Sequence, residues 1–491
     1  MITKTQKDEI IDYQKDASNF KGICNEVLIP ESKDELIEAV KSAYSNNIPI
    51  TMSGARTGLG GACVPLEGIV ISTERINNIL RIDYQNELAI VRPGLLRGDL
   101  EEELEQNGYF LPPNPTEKNS SIGGNINTNA SGSRTLKYGA IRKYVDSLSV
   151  ILGNGDEVHL QRGSNIAEKG NLNLTSLSNE VYNIPVPTYK LPKVKHAAGY
   201  YTSDHLDAID LFIGSEGTLG IVSDIILKIE KKPESVFGAI IFFDNYDSLF
   251  KFVDEARERS RRSFSTPIEQ LTEISARLIE FYDDQSLNLL RDSYLQIPDN
   301  ALAAIWIEQE NIPENEELLL NKWYDLIKYH TSLADDTWMA MTEKEHREFR
   351  EFRHLLPLTV IEILAKNDKK KFGTDIAVPD IHLKDFFGFL KKEIEISGLK
   401  NAVWGHIGNS HFHANVIART ENDMALAYNF FDNTMAEAVR LKGTVSGEHG
   451  IGKIKKKYLL QMFSKEAIEQ MKAVKLALDP KNLLGRGTVF D

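Results

Sequence analysis

Cysteine is nearly absent. The 491-residue chain has two, Cys24 and Cys63, and no CxxC pair, which argues against a disulfide framework or an iron–sulfur cluster built from this chain. No apolar run is long enough to cross a bilayer. Residues 1–16, MITKTQKDEIIDYQKD, are polar and mixed in charge. They lack the apolar stretch of a secretory signal and the arginine-rich, acid-poor character of a transit peptide. The expected location is therefore the cytoplasm, with peripheral attachment at a membrane left open. A basic excess is also missing. The net charge of -14 argues against nucleic acid, whose phosphates need a basic face. A small anion needs only a local cluster of cations. The length exceeds one ordinary core, so two or three domains are expected.

Histidine is scarce too, at 11 in the chain, yet it is concentrated. Residues 404–416, WGHIGNSHFHANV, and 443–452, GTVSGEHGIG, supply His406, His411, His413, Glu448 and His449. Imidazole nitrogen plus carboxylate is the donor set that a borderline divalent metal takes. His411 and His413 are two apart, which puts both on one face of a strand.

Apolar periodicity predicts a helical lead-in over residues 1–30 and a helix over 32–46 capped by Ser32. Strands are predicted at 48–52, 69–72, 88–92, 145–152, 157–160 and 221–229, with a helix at 99–107 stopped by Gly108. There is no βαβ rhythm, so the class is α+β. Lys232-Pro233 reads as a boundary. Beyond it the pattern predicts strands at 239–243, 301–308, 375–378 and 403–405, and helices at 246–257, 271–282, 314–329 and 464–478. That is an antiparallel sheet with helices on one face. The basic runs 369–371 and 453–457 read as solvated faces.

Three loops rich in glycine and small polar residues share the first half: GARTGLGG at 54–61, PPNPTEKNSSIGGNINTNASGSRTLKY at 112–138, and GSEGTLGI at 214–221. Backbone N–H groups in such loops can face a pyrophosphate. The first does not match GxGxxG and no suitably spaced acidic residue follows, so a nicotinamide site is disfavoured. Together the loops can line a crevice for a dinucleotide.

The stretches SSIGGNINTNASGSRTLKYG, DLFIGSEGTLGIVSDIILKI and TVSGEHGIGKIKKKYL carry a resemblance. Over nearly its whole length the chain resembles the FAD-linked 2-hydroxyacid dehydrogenase/oxidase family, the group of D-lactate dehydrogenase, glycolate oxidase D-subunit and D-2-hydroxyglutarate dehydrogenase. The resemblance implies a two-lobed FAD-binding domain of the vanillyl-alcohol-oxidase type plus an α+β cap domain with an antiparallel sheet. The boundaries it suggests are a lead-in at 1–30, the FAD-binding domain at 31–232, a substrate and metal-bearing cap at 233–455, and a C-terminal segment at 456–491 returning to the FAD domain. It implies oxidation of a D-2-hydroxy acid, D-lactate-like or glycolate-like, to the 2-oxo acid. Hydride goes to flavin N5 and electrons to a non-NAD acceptor such as a quinone, a cytochrome or a flavoprotein carrier. A homodimer is compatible with this.

By motif position the FAD residues would be Gly54, Arg56, Thr57, Gly58, Leu59, Gly60, Pro115, Thr116, Ser121, Gly123, Gly124, Thr128, Asn129, Gly132, Tyr138, Gly139, Glu216, Gly217, Gly220 and Ile221. The metal ligands would be His406, His413 and Glu448, with zinc foremost and manganese or iron as alternatives. His449 would be the general base. The substrate carboxylate would fall to Arg353, one of Arg347, Arg350 and Arg353 in EKEHREFREFRHLLP.

The chain also departs from the pattern. Ser53-Gly54-Ala55-Arg56 stands where the family has an arginine and three small residues, so Arg56 could pair a phosphate directly or displace the usual loop path. No histidine occupies the position where some relatives attach flavin covalently, so dissociable FAD is expected. Leu484-Gly485-Arg486-Gly487 replaces the usual NPG, so a flavin contact by that asparagine would be lost or replaced by Arg486. Asn409-Ser410-His411 replaces an acidic-Gly-Asn triplet. Gly373 and Thr374 stand where hydroxyglutarate-type enzymes carry a lysine, with Lys371 near, which weakens a dicarboxylate assignment. Two alternatives share these motifs: a non-redox flavoenzyme resembling alkyl-dihydroxyacetone-phosphate synthase, and a flavin subunit of a larger oxidase complex.

Overall fold

Ser32 does cap a helix. Its hydroxyl accepts from Glu35 N, and Lys33–Ser45 follows with Leu36, Ala39, Val40 and Ala43 buried, the spacing of one helical face. In this computed structural model, which describes residues 1–365 and 370–491 and the side chains outside 364–372, that helix covers a four-stranded sheet. The strand order is Ile2–Lys4, Glu26–Ile29, Ile69–Ser72, Ile50–Ser53. The lead-in is therefore not helical throughout: Ile2–Lys4 and Glu26–Ile29 pair antiparallel as part of this sheet. A second, antiparallel sheet runs Ile79–Asp83, Leu88–Val91, Ile221–Lys228, Val145–Ile151, Glu157–Gln161. Of the glycine-rich loops, 54–61 follows Ile50–Ser53 and 214–221 leads into Ile221–Lys228.

The third sheet is larger and antiparallel. Its order is Trp338–Ala340, Ser235–Phe243, Ala303–Asn311, Ala276–Tyr282, Lys400–Gly405, His411–Ala418, Lys370–Gly373, with Ile376–Ala377 also paired to His411–Ala418. The helix predicted at 271–282 is the strand Ala276–Tyr282, buried at every position. A central strand covered on both faces loses the period-two signal that distinguishes it from a buried helix. Both faces of this sheet are indeed covered, not one. Ile241 and Phe243 pack with Leu249, Phe252 and Trp323. Their neighbours Ile240 and Phe242 pack on the other side with Phe349, Phe352 and Leu356. Helices Leu383–Ser397 and Glu421–Arg440 were not legible as such. Among the described residues no helix is long and apolar enough to cross a membrane.

The C-terminal segment returns to the first sheet. Ile50 N donates to Leu483 O and Gly485 N to Ile50 O, both at 2.8 Å. The return is pinned by the buried pair of Lys475 and Asp479, whose ammonium also donates to Thr218 O at 2.7 Å and Leu484 O at 2.9 Å. Upstream, the Glu216 carboxylate accepts from Ile451 N and Gly452 N, both at 2.8 Å. The run 453–457 is only partly a solvated face: Lys457 is exposed, but Lys453 and Lys455 are buried, and Lys453 donates to Ala62 O at 3.0 Å and Thr488 Oγ1 at 2.7 Å. The run 369–371, and Lys371 as a neighbour of Asp375, lie outside the described side chains.

Two predictions follow from these buried charges. Lys475→Met leaves Asp479 buried beside an apolar side chain, and should cost about 3–5 kcal/mol in chemical denaturation. Burial pushes the Glu216 carboxyl up from 4.5 to about 7. Folding therefore takes up a proton between those values, and stability should fall as pH rises across the window, by about 2 kcal/mol. Glu216→Gln should flatten that dependence when urea midpoints at pH 5 and pH 7 are compared.

Candidate active site

One cavity runs between the glycine-rich loops and ends at Glu448 and His449. It is lined by Gly54, Arg56, Thr57, Gly58, Leu59, Gly60, Pro115, Thr116, Ser121, Gly123, Gly124, Thr128, Glu216, Gly217, Gly220 and Ile221. The loops close tightly on each other: a Cβ on Gly54 would lie 2.4 Å from Ser121 Oγ. The lining mixes backbone and hydroxyl groups with Pro93, Leu59, Ile221 and Val222, which suits a group with a charged phosphate end and a flat apolar ring.

Asn129, Gly132, Tyr138 and Gly139 are not among the residues lining this cavity. Tyr138 instead donates to Glu310 in the third sheet. Asn129 Oδ1 accepts from Arg142 N at 3.3 Å, and Gly139 ends the short helix Thr135–Tyr138. Gly132 packs on Asn114 O and donates its N–H to Glu448 Oε2. Arg56 lines the cavity, but its guanidinium is paired with Glu74 at 3.3 Å and stacks on Tyr13. Arg486 is paired with Glu67 at 2.8 Å and does not line the cavity either. Cys63, Asp16 and Ser131 also line it, though none was among the residues expected there.

The imidazoles come from the third sheet. His411 and His413 share a face of His411–Ala418, and His406 follows the neighbouring strand Lys400–Gly405. Gly405 makes the turn between them: at φ 154 its missing Cβ would lie 2.4 Å from His411 O, so only glycine fits. Ser410, at φ 52, is held in its left-handed conformation by Arg257, which donates to its hydroxyl at 2.9 Å.

Glu448 Oε1 lies 3.2 Å from His406 Nε2, 3.2 Å from His413 Nε2 and 3.7 Å from His449 Nε2. Its other oxygen, Oε2, accepts from Lys195 Nζ at 2.7 Å and from Ser131 Oγ and Gly132 N, both at 3.3 Å. Burial opposes the charge on Glu448, but Lys195 and His406 hold its carboxyl well below the usual range. Burial lowers His413, and it lowers His449 to about 4. Both rings are therefore neutral near pH 7, with lone pairs available.

Behind these residues stand two carboxylates. Glu280 accepts from His406 Nδ1 at 2.5 Å and from Arg353 Nε at 3.2 Å. The structure thus places Arg353 inside, against Glu280, while Arg350 pairs with Glu343 nearer the surface and Arg347 is exposed. Asp375 is a hub. It accepts from His411 Nε2 at 2.9 Å, Ser446 Oγ at 2.8 Å, His449 N at 3.0 Å, Glu448 N at 3.2 Å and Lys455 Nζ at 2.9 Å. His449 Nδ1 is 3.4 Å away. Burial opposes its charge, and His449 and Lys455 bring its carboxyl well below the usual range. Glu280 and Lys195 were missed in the sequence because each lies far along the chain from the histidines, in no motif.

Residues 25–161 match the family model described as FAD binding domain, and residues 232–489 that described as FAD linked oxidases, C-terminal domain. Glycolate oxidase subunit GlcD of Bacillus subtilis (strain 168) is 29% identical, with 100% of this chain and 97% of that protein covered. D-lactate dehydrogenase of Anaerostipes hadrus is 28% identical, covering 94% and 89%. The solved structure of 4-ethylphenol oxidase from Gulosibacter chungangensis superposes with a TM-score of 0.72 at 13% identity, covering 99% of this chain and 94% of that one. That likeness speaks to the fold alone, which is α+β with the vanillyl-alcohol-oxidase type of FAD-binding architecture. The chain belongs to the FAD-linked oxidases and, within them, to the FAD-linked 2-hydroxyacid dehydrogenase/oxidase family.

Proposed function

We propose that the chain oxidises a small D-2-hydroxy acid, of the D-lactate or glycolate kind, to its 2-oxo acid, using FAD and a divalent cation and passing the electrons to an acceptor other than NAD. The observation that carries this is the convergence of His406 Nε2 and His413 Nε2 on one oxygen of Glu448, both at 3.2 Å, at the end of the cavity that the FAD loops line. The names of the relatives support the substrate class. When bound, FAD supplies a hydride acceptor at N5, and the cation, zinc foremost, supplies positive charge that makes the substrate hydroxyl more acidic.

The donor set fits such a cation: two imidazoles and an ionised carboxylate, with the far nitrogens held by Glu280 and by Thr374 O. Burial opposes charge on His406, but Glu280 and Glu448 raise it above the ordinary histidine value, so a bound cation would take the place of its Nε2 proton. Those outer acceptors fix the tautomer that leaves each Nε2 lone pair inward. His449 is the base. It lines the cavity, is neutral, and has Asp375 beside its Nδ1 to steady the imidazolium formed when Nε2 takes the hydroxyl proton. Arg353 acts through Glu280, keeping it ionised and so orienting His406. The electron acceptor would be a quinone, a cytochrome or a flavoprotein carrier.

His413→Ala should lose the metal by elemental analysis and lower turnover by about 100-fold or more, while keeping the bound-flavin spectrum. Full turnover in the chelated variant would remove the metal from the reaction. Arg353→Met should lower kcat and weaken metal binding by about tenfold. A rise in KM alone, with metal affinity unchanged, would instead return Arg353 to the substrate carboxylate.

A further inference from the structure

His411 is where this chain departs from the pattern it resembles, with an imidazole in place of an asparagine. The side chain is fully buried, at 0% exposure. Three imidazoles here divide their nitrogens in the same way, one nitrogen of each going to an oxygen acceptor. For His406 it is Nδ1, on Glu280 at 2.5 Å. For His413 it is Nδ1, on Thr374 O at 3.4 Å. For His411 it is Nε2, on Asp375 Oδ1 at 2.9 Å. His406 and His413 turn the second nitrogen to Glu448. The second nitrogen of His411, Nδ1, is buried with no hydrogen-bond partner among the described residues.

A buried nitrogen left in that state costs about 1–3 kcal/mol, so its retention needs a reason. Metal-bound histidines show this very division, with one nitrogen donating to a carboxylate or carbonyl and the other facing the ion. The His411 ring centroid is 4.5 Å from that of His413 and 5.2 Å from that of His406. One donor atom from each of His406, His411, His413 and Glu448 lies within 4.8 Å of the others.

We propose that His411 is a further protein ligand of the divalent cation, through Nδ1, so that the site offers three imidazoles and one carboxylate. This rests on the metal reading given above and narrows it. The bond to Asp375 puts the ring proton on Nε2 and leaves Nδ1 a lone pair. Four protein donors already fill a tetrahedral centre. A centre that still admits the substrate hydroxyl must therefore take five or six ligands. The nitrogen-rich set selects a borderline ion over a hard, oxygen-seeking one such as magnesium.

The test uses the FAD-loaded enzyme stripped of metal and titrated with cobalt(II). X-ray absorption at the cobalt edge counts bound imidazoles, and the titration gives affinity. The wild type should show three imidazoles. His411→Asn keeps a donor for Asp375 but removes the ligand. It should show two imidazoles and bind cobalt at least about tenfold more weakly, with flavin content unchanged. Two imidazoles in the wild type, or an unaltered count and affinity in the variant, would overturn the proposal. A variant that does not fold leaves the wild-type count to decide. A wild type that takes up no cobalt would defeat the metal reading itself, and this inference with it.

Discussion

The carboxylate of Glu448 is the point on which the two halves of the molecule meet. One oxygen belongs to the FAD side, through Lys195, Ser131 and Gly132. The other faces the imidazoles carried by the large antiparallel sheet. A carboxylate taken out of water without partners costs several kcal/mol, so the surrounding groups must be supplied together. Glu448 is thus one polar link between the two halves, beside the Tyr138–Glu310 hydrogen bond and a shared apolar core.

Two more buried carboxylates place the segment that carries Glu448 and His449. Asp375 gathers the backbone N–H groups of both residues along with Lys455 and His411. Glu216 takes the N–H groups of Ile451 and Gly452. The segment is thus hydrogen-bonded at both ends, once to Asp375 and once to Glu216. Arg56, Glu216 and Ser410 are among the non-glycine residues that adopt positive φ. Non-glycine residues are held there only where surrounding contacts over-determine the backbone.

The chemistry inherits this division of labour. The glycine-rich loops offer a long cleft with polar and apolar lining, and Glu448 and His449 join that lining from the C-terminal part of the chain. His449 lines the cleft and has Asp375 behind it. Burial keeps its ring neutral, the state in which an imidazole can accept a proton. The other imidazoles are packed deeper, and one nitrogen of each lies within 4.8 Å of a Glu448 oxygen.

Local sequence determined a good deal. Ser32 announced its helix by a cap, and residues 69–72 their strand, because these signals act within a few residues. The histidine and glycine stretches were legible because donor spacing along one strand, at His411 and His413, fixes a shared face. What distance along the chain hides, the tertiary structure decided. Ala276–Tyr282 read as a helix because burial on both faces erased its alternation. Lys453 and Lys455 read as solvated because nothing local reveals that a loop from residues 60–62 and Asp375 would cover them. Glu280, Arg353 and Lys195 acquire their roles only through partners 73 to 253 positions away. A charge can be buried only beside its counter-charge, and which one that is depends on the fold.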